Sequence, residues 1–172
     1  MGSLSEPLPI GPPERITAGH DLEEFDCGES SLNQWLRSRA LANEDSGASR
    51  TYVTSSGKRV VGYYSLATGA VARDLGTGRV RRNAPDPVPV IVLARLAVDR
   101  RFQHRGIGKD LLRDAVLRSL QAAEIASVRA ILVHTLSPAA KAFYQGFGFM
   151  PSPTDDGMLM IPTAQARKAL KG

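Results

Sequence analysis

The residues Gln103-x-x-Gly106-x-Gly108 lie within Leu93-Ala-Arg-Leu-Ala-Val-Asp-Arg-Arg-Phe-Gln-His-Arg-Gly-Ile-Gly-Lys-Asp-Leu-Leu112, where an apolar run meets a basic turn and then an amphipathic run. A glycine turn that opens onto a helix aims several backbone N–H groups, and the positive helix end, at one anion. That is chemistry suited to a pyrophosphate. Two better-known phosphate turns fail here on residues. A dinucleotide fingerprint needs a third glycine three residues after the second, and that position is Leu111. A P-loop needs Gly five residues before its Gly-Lys and Ser or Thr after it, where this chain has Gln103 and Asp110. Two readings remain open on the turn alone: an anion cradle, or a glycine turn that merely starts a helix.

A second segment further along reads Ser137-Pro-Ala-Ala-Lys-Ala-Phe-Tyr-Gln-Gly-Phe-Gly-Phe149. Together the two segments resemble the GCN5-related N-acetyltransferase (GNAT) superfamily. Gln103, Gly106 and Gly108 match its Gln/Arg-x-x-Gly-x-Gly/Ala motif, and Ala140, Phe143, Tyr144, Gly148 and Phe149 match its later motif in register. Ser137 stands where that motif has Asn. The resemblance runs from about Arg15 to Ile161 and implies an α/β fold. In that fold a mixed, mostly antiparallel central sheet with a splayed pair of central strands is flanked by helices.

The resemblance also implies chemistry. Acetyl-CoA is the acetyl donor and no metal takes part. Backbone groups of Leu96, Ala97 and Val98 bond the pantetheine arm like an added strand. The turn Gln103, His104, Arg105, Gly106, Ile107, Gly108 and Lys109 holds the pyrophosphate, with Ser137 and Phe143 also at the cofactor. Acyl transfer needs a donor for the oxyanion and a proton for the leaving thiolate. An amide near Val98 serves the first need. Tyr144 serves the second as the catalytic residue, since a phenol is protonated at neutral pH.

A general base is missing from the expected place. Many members of that family carry a Glu on the central strand, but Val90–Val98 contains neither Glu nor Asp. His134 is the alternative, although a His at a strand end is more often structural. A lysine amine, with pKa roughly 10.4, needs help at pH 7, whereas an α-amine near roughly 7.7–8.0 is already substantially neutral. An aminoacyl ester lowers that value further by electron withdrawal. Arginine distribution points the same way. Between Arg73 and Arg105 lie eight arginines against three aspartates, a surplus equal to the +5 of the whole chain. Arg is suited to bidentate phosphate contact, and a clustered basic stretch suggests a polyanionic partner. The bland alternative is a solvated loop.

A narrower resemblance joins these points. Phe25-Asp-Cys-Gly-Glu-Ser-Ser-Leu-Asn-Gln-Trp-Leu36, Gly47-Ala-Ser-Arg-Thr-Tyr-Val53 and Leu93-Ala-Arg-Leu-Ala-Val-Asp99 are similar to segments of GNAT-type toxins from bacterial toxin–antitoxin pairs. That resemblance implies acetylation of aminoacyl-tRNA and inhibition of translation in the bacterial cytoplasm. It implies a homodimer, neutralised by a ribbon-helix-helix antitoxin through which the complex binds operator DNA. It assigns tRNA contact to Arg50, Arg73, Arg79, Arg81, Arg82 and Arg95. Two other readings stand beside it: a protein or small-amine N-acetyltransferase of the same fold, and a non-catalytic CoA-binding module.

These residues need elements to position them. Leu32, Leu36 and Ala40 recur at helical spacing and predict a helix over Leu32–Asn43, with Ser30 or Ser31 as cap. Strands are expected at Arg15–Ala18, Arg50–Thr54 and Arg59–Ala67, the last two as a hairpin. Arg73–Pro89 reads as a long loop. Val90–Val98 is nearly continuous apolar sequence and predicts a central strand. Gly106–Glu124 predicts a helix burying Ile107, Leu111, Leu112, Ala115, Val116 and Leu120. Val128–His134 is a buried strand. Ser137 caps the next helix with Pro138 at its first position, and Phe147–Met150 pairs with Met158–Ile161 as a closing hairpin.

The bulk numbers suit this plan. A chain of 172 residues with 42% hydrophobic and 23% charged residues fits a soluble protein with one acetyltransferase domain, expected over residues 14–161. Residues 1–13 read as a disordered lead-in without the plan of a signal peptide, and residues 162–172 as a tail that forms at most a short helix. No apolar stretch is long enough to span a bilayer. The lone Cys27 forms no internal disulfide and has no paired His motif, so it reads as a packing residue.

Overall fold

Apolar runs rich in β-branched residues form strands, and four-residue apolar spacings form helices, close to where the sequence puts them. The structure, a computed structural model, describes residues 8–172. In chain order it has β1 (Glu14–Arg15), α1 (Ser30–Ser38), α2 (Ala40–Ser46), β2 (Arg50–Ser56), β3 (Arg59–Val71), α3 (Gly78–Arg81) and β4 (Val88–Val98). There follow α4 (Ile107–Ile125), β5 (Ala130–His134), α5 (Pro138–Phe147), β6 (Met150–Pro151), β7 (Met158–Pro162) and α6 (Thr163–Lys171). Short 3-10 turns occupy Arg73–Leu75 and Arg100–Phe102. The hydrogen-bonded strand order is β1-β2-β3-β4-β5-β7-β6. The chain forms two compact units, one from the segment ending at Ser65 with Arg95–Leu112, the other from Leu66–Ala94 with Arg113–Gly172.

The first unit packs Ile16, Phe25, Leu36, Ala40, Val53, Val60, Tyr63 and Ala97 into one apolar cluster. Each large side chain buried this way contributes roughly 1.5–3 kcal/mol before entropy is subtracted. The single helix expected over Leu32–Asn43 is two helices, broken at Arg39, yet Leu36 and Ala40 are both fully buried. Glu29 precedes α1 with no side-chain cap, so neither Ser30 nor Ser31 is the cap. The first strand is shorter than expected because the Thr17 N–H goes to His20 Nδ1 at 2.9 Å instead of extending the ladder. Residues 1–7 of the expected lead-in lie outside the described residues. The rest of it is ordered: Ile10 bridges Ser56, and the Gly11 N–H donates to the Ser55 carbonyl at 2.9 Å.

The second unit holds Val71, Val80, Ala84, Val88, Val90, Ala130, Leu132, Met158 and Met160 in its own cluster. Here β4 runs parallel to β5 with Val90–Val92 against Ala130–Leu132, and the pairing stops at Val92. Yet β5 continues antiparallel to β7 out to His134 against Met158. This is the splay expected of the central pair. The stretch Arg73–Pro89 is more built than a loop. Thr77 caps α3 by accepting from the Val80 N–H at 3.4 Å, and Val80 and Ala84, four apart, are both buried. The C-terminal tail is helical as α6, with Ala166 buried. Helix α4 buries the six apolar residues expected of it. No helix among the described residues is long and apolar enough to cross a membrane.

Candidate active site

In the first unit, β4 ends at Val98 and the chain enters the turn through Asp99, which is fully buried. Its carboxylate accepts from the Arg101 N–H at 2.9 Å and from the Asp26 N–H at 3.1 Å. Arg101 Nε adds a contact at 3.2 Å. Asp99 therefore fixes the strand-to-turn corner, and its donors leave it no role as a base. Gln103 braces the same corner: its side-chain amide donates to the Val98 carbonyl at 2.9 Å and to the Cys27 carbonyl at 3.4 Å. Asp26 answers from the other side. It takes Arg100 Nη2 at 2.6 Å, and its backbone carbonyl takes the Arg100 N–H at 2.8 Å. The Gly28 N–H first, then Asn33 and Arg100, hold the Asp26 carboxyl below its ordinary range.

The turn itself has the conformation of an anion cradle. His104 and Gly106 both have positive φ, 64° and 85°. A Cβ on Gly106 would meet nothing within 4 Å, so glycine is required there by backbone conformation and not by crowding. Helix α4 starts at Ile107, and its first full helical bond is Asp110 N–H to the Gly106 carbonyl at 3.1 Å. The first-turn amides, those of Ile107, Gly108 and Lys109, have no intrahelical acceptor, as at any helix start, and such a group of donors can serve an anion. His104, Arg105, Gly106 and Lys109 are exposed, while Leu96, Val98 and Gln103 are half-buried and Ala97 and Ile107 buried. Arg105 rests on the Phe102 ring at 5.2 Å. These features fit a diphosphate. Among the described residues no group of three or more His, Cys, Asp or Glu could hold a metal ion.

Tyr144 lies in the second unit on α5. Ser137 caps that helix by accepting from the Ala140 N–H at 3.1 Å, with Pro138 in the first turn. The Tyr144 ring is 9% exposed and packs edge-on against Phe143 at 5.1 Å and Phe149 at 5.6 Å. Its carbonyl takes the Gly148 and Phe149 N–H groups, which stops the helix and fixes the residue's rotation. Burial alone pushes the phenol up to about 12, so it is a proton donor across the neutral range. His134 is exposed at the end of β5. Cys27 is half-buried, and burial, the largest influence, raises its thiol above the ordinary value, which disfavours a thiolate nucleophile.

The basic residues fall into two sets. Arg73, Arg79, Arg81 and Arg82 are exposed in the second unit. Arg79 and Arg82 line a cavity of about 700 Å³ with Phe147, Met150, Ile161 and Lys168, and Arg82 also borders one with Arg73 and Arg81. Arg50 and Arg95 are in the first unit. Arg50 donates to the Glu44 carbonyl at 3.0 Å, whereas Arg95 lies on the Trp35 ring with its guanidinium carbon 4.1 Å from the ring centre. Sequence reasoning missed Trp35, Asp99 and Lys168. Trp35 falls on the apolar face of a helix and reads as core; only its pairing with a distant arginine distinguishes it.

Residues 47–151 match the acetyltransferase (GNAT) domain family. The chain is 55% identical to the "tRNA-acetylating toxin" of Mycobacterium tuberculosis (strain ATCC 25618 / H37Rv) over 155 residues, covering 90% of this chain and 93% of that protein. Among solved structures it resembles AtaT complexed with acetyl-methionyl-tRNAfMet, with a TM-score of 0.85 and 27% identity, covering 93% of this chain and 98% of that one. It also resembles a tyrosine-to-phenylalanine variant of AtaT bound to the C-terminus of the antitoxin AtaR and acetyl-CoA. There the TM-score is 0.80 and the identity 26%, over 95% of this chain and 99% of that one.

Proposed function

The chain belongs to the GNAT acetyltransferase family, and from that membership we propose that it is the toxin of a type II toxin–antitoxin pair. It transfers acetyl from acetyl-CoA to the α-amino group of an aminoacyl-tRNA and so inhibits translation. The observation that carries this reading is the 55% identity to a tRNA-acetylating toxin across 90% of the chain. The acetyltransferase domain spans residues 14–161. The amides of the Gln103–Lys109 turn hold the diphosphate of acetyl-CoA, with Ser137 and Phe143 also at the cofactor. The backbone of Leu96–Val98 holds the pantetheine arm, and an amide near Val98 donates to the oxyanion. The Tyr144 hydroxyl gives its proton to the departing thiolate sulfur. No carboxylate base is needed, because an α-amine, with pKa near roughly 7.7–8.0 and lowered further when its own carboxyl is esterified, already has a sizeable neutral fraction near neutral pH.

The exposed arginines Arg73, Arg79, Arg81 and Arg82, with Arg50 and Arg95, hold the tRNA phosphates. The partner that restrains the toxin is a ribbon-helix-helix antitoxin, through which the pair binds operator DNA. The toxin itself works as a homodimer in the bacterial cytoplasm. Labelled acetyl-CoA incubated with total charged tRNA and with total protein tests the central reading. Label is expected on the α-amine of charged tRNA. Label on protein or small amines with none on tRNA would overturn it in favour of a protein or small-amine acetyltransferase.

A further inference from the structure

Arg95 differs from the arginines of the first unit that are tied to carboxylate or carbonyl oxygens. Arg15 meets Glu44, Arg50 meets the Glu44 carbonyl, Arg100 meets Asp26 and Arg101 meets Asp99. Arg95 is half-buried, yet its guanidinium has no hydrogen-bond or ion-pair partner among the described residues. What it has is an aromatic face, the Trp35 ring at 4.1 Å. Burial, opposed by Tyr63, pulls the Arg95 pKa below its ordinary value. Its nitrogens are not among the sealed, unpartnered polar atoms of the described residues, so the fork is open to an acceptor brought by a ligand.

The platform beneath it is built to hold still. Trp35 stacks on Tyr63 with ring centres 6.0 Å apart and planes 10° apart. Phe25 closes on the Tyr63 ring edge-on at 5.5 Å, and the Tyr63 hydroxyl donates to the Leu32 carbonyl at 2.8 Å. The indole is thus fixed from α1 and from β3. A guanidinium centred over a ring can keep N–H donors free, and these form a planar fork matching two oxygens of one phosphate. Arg95 directly precedes Leu96 in β4.

We propose that Arg95, laid on Trp35, is a clamp for a single phosphate, with Trp35 as its positioning residue. The proposal rests on the acetyl-CoA and aminoacyl-tRNA reading only for its two sources of phosphate, a phosphodiester of the tRNA or a phosphate of CoA. Trp35 is the sole tryptophan of the chain, so emission excited selectively from tryptophan reports this ring alone. The experiment titrates the full-length protein with deacylated tRNA and, separately, with CoA, following that emission and measuring affinity by calorimetry. One ligand is expected to change the emission. Arg95→Lys, which keeps the charge but not the flat fork, loses the response and weakens that ligand about tenfold or more. Trp35→Leu weakens it similarly, whereas Trp35→Phe, which keeps a ring face, stays within about threefold.

A response to tRNA assigns the phosphate to the polynucleotide, and a response to CoA assigns it to the cofactor. Unchanged affinity for both ligands in Arg95→Lys overturns the clamp, even if Trp35→Leu is impaired, because the ring would then serve only the core. Melting temperatures of Arg95→Lys and Trp35→Phe near that of the unsubstituted protein establish folding. Since both ligands are unacylated, the outcome does not depend on turnover. A protein that binds them through Arg95 but never acetylates charged tRNA would sink the functional reading and leave the clamp standing.

Discussion

Tyr144 shows how burial alone can keep a phenol protonated. Its ring is enclosed by Phe143 and Phe149, and its phenol, pushed up to about 12, keeps its proton where an exposed tyrosine begins to lose it. Tyr144→Phe is expected to bind acetyl-CoA as before and to lose about 10²–10⁴-fold in turnover. Calorimetric titration with acetyl-CoA, alongside the rate of acetyl-tRNA formation, checks both halves. Undiminished turnover would remove Tyr144 from the mechanism. The sign of the pKa shift makes a further prediction. A raised acid pKa moves the alkaline loss of activity upward, so the rate should rise as the amine deprotonates near about pH 8 and then hold level through about pH 10. A decline starting below that plateau would mean a different donor. At this scale Tyr144 is legible because its motif is local in sequence. The Arg95–Trp35 pair is not, because it joins residues on different elements and neither has a local signature.

Elements explain why the turn works and which features stay hidden in the sequence. Gly106 must adopt φ 85° to turn the chain into α4. Gly106→Ala has room for its methyl group, but the left-handed backbone costs it about 1 kcal/mol, and a turn that relaxes to escape that cost moves its amides, so acetyl-CoA binding is expected to weaken by up to about fivefold with the fold intact. Equal affinity for acetyl-CoA in the two proteins would show that the turn does not hold the diphosphate. The central strand, the α4 face and the Ser137–Pro138 helix start are all readable, because apolar period and cap chemistry act over one or two turns. Arg73–Pro89 reads as a plain loop and is not one. Its order comes from Val80, Ala84 and Val88 entering the second unit's core and from the Thr77 cap, and three apolar residues spread among arginines and prolines are too sparse to stand out in the sequence. The break at Arg39 is equally hidden, since Leu36 and Ala40 keep their helical spacing across it.

For the whole molecule, charge is the most legible property and side-chain pairing the least. The +5 surplus of the Arg73–Arg105 stretch divides in the structure between arginines tied to carboxylates, such as Arg100 and Arg101, and exposed ones such as Arg79, Arg81 and Arg82. Only the second kind is free to release counterions on binding RNA. Arg79→Ala, Arg81→Ala and Arg82→Ala combined should lower tRNA affinity. The slope of log affinity against log salt should shrink by about 0.7–0.9 for each phosphate that is no longer neutralised. Thermal stability should be retained, because all three side chains are exposed. An unaltered slope from filter binding across a salt series would return this segment to a merely solvated role. The corner where Asp99, Arg100 and Gln103 hold Asp26 and Cys27 has a consequence for motion. A ligand that quiets the turn must also quiet the segment leading into α1, some seventy residues earlier in the chain. Acetyl-CoA should therefore slow backbone deuterium uptake at Asp26 and Cys27, so that this segment becomes a gauge of cofactor occupancy.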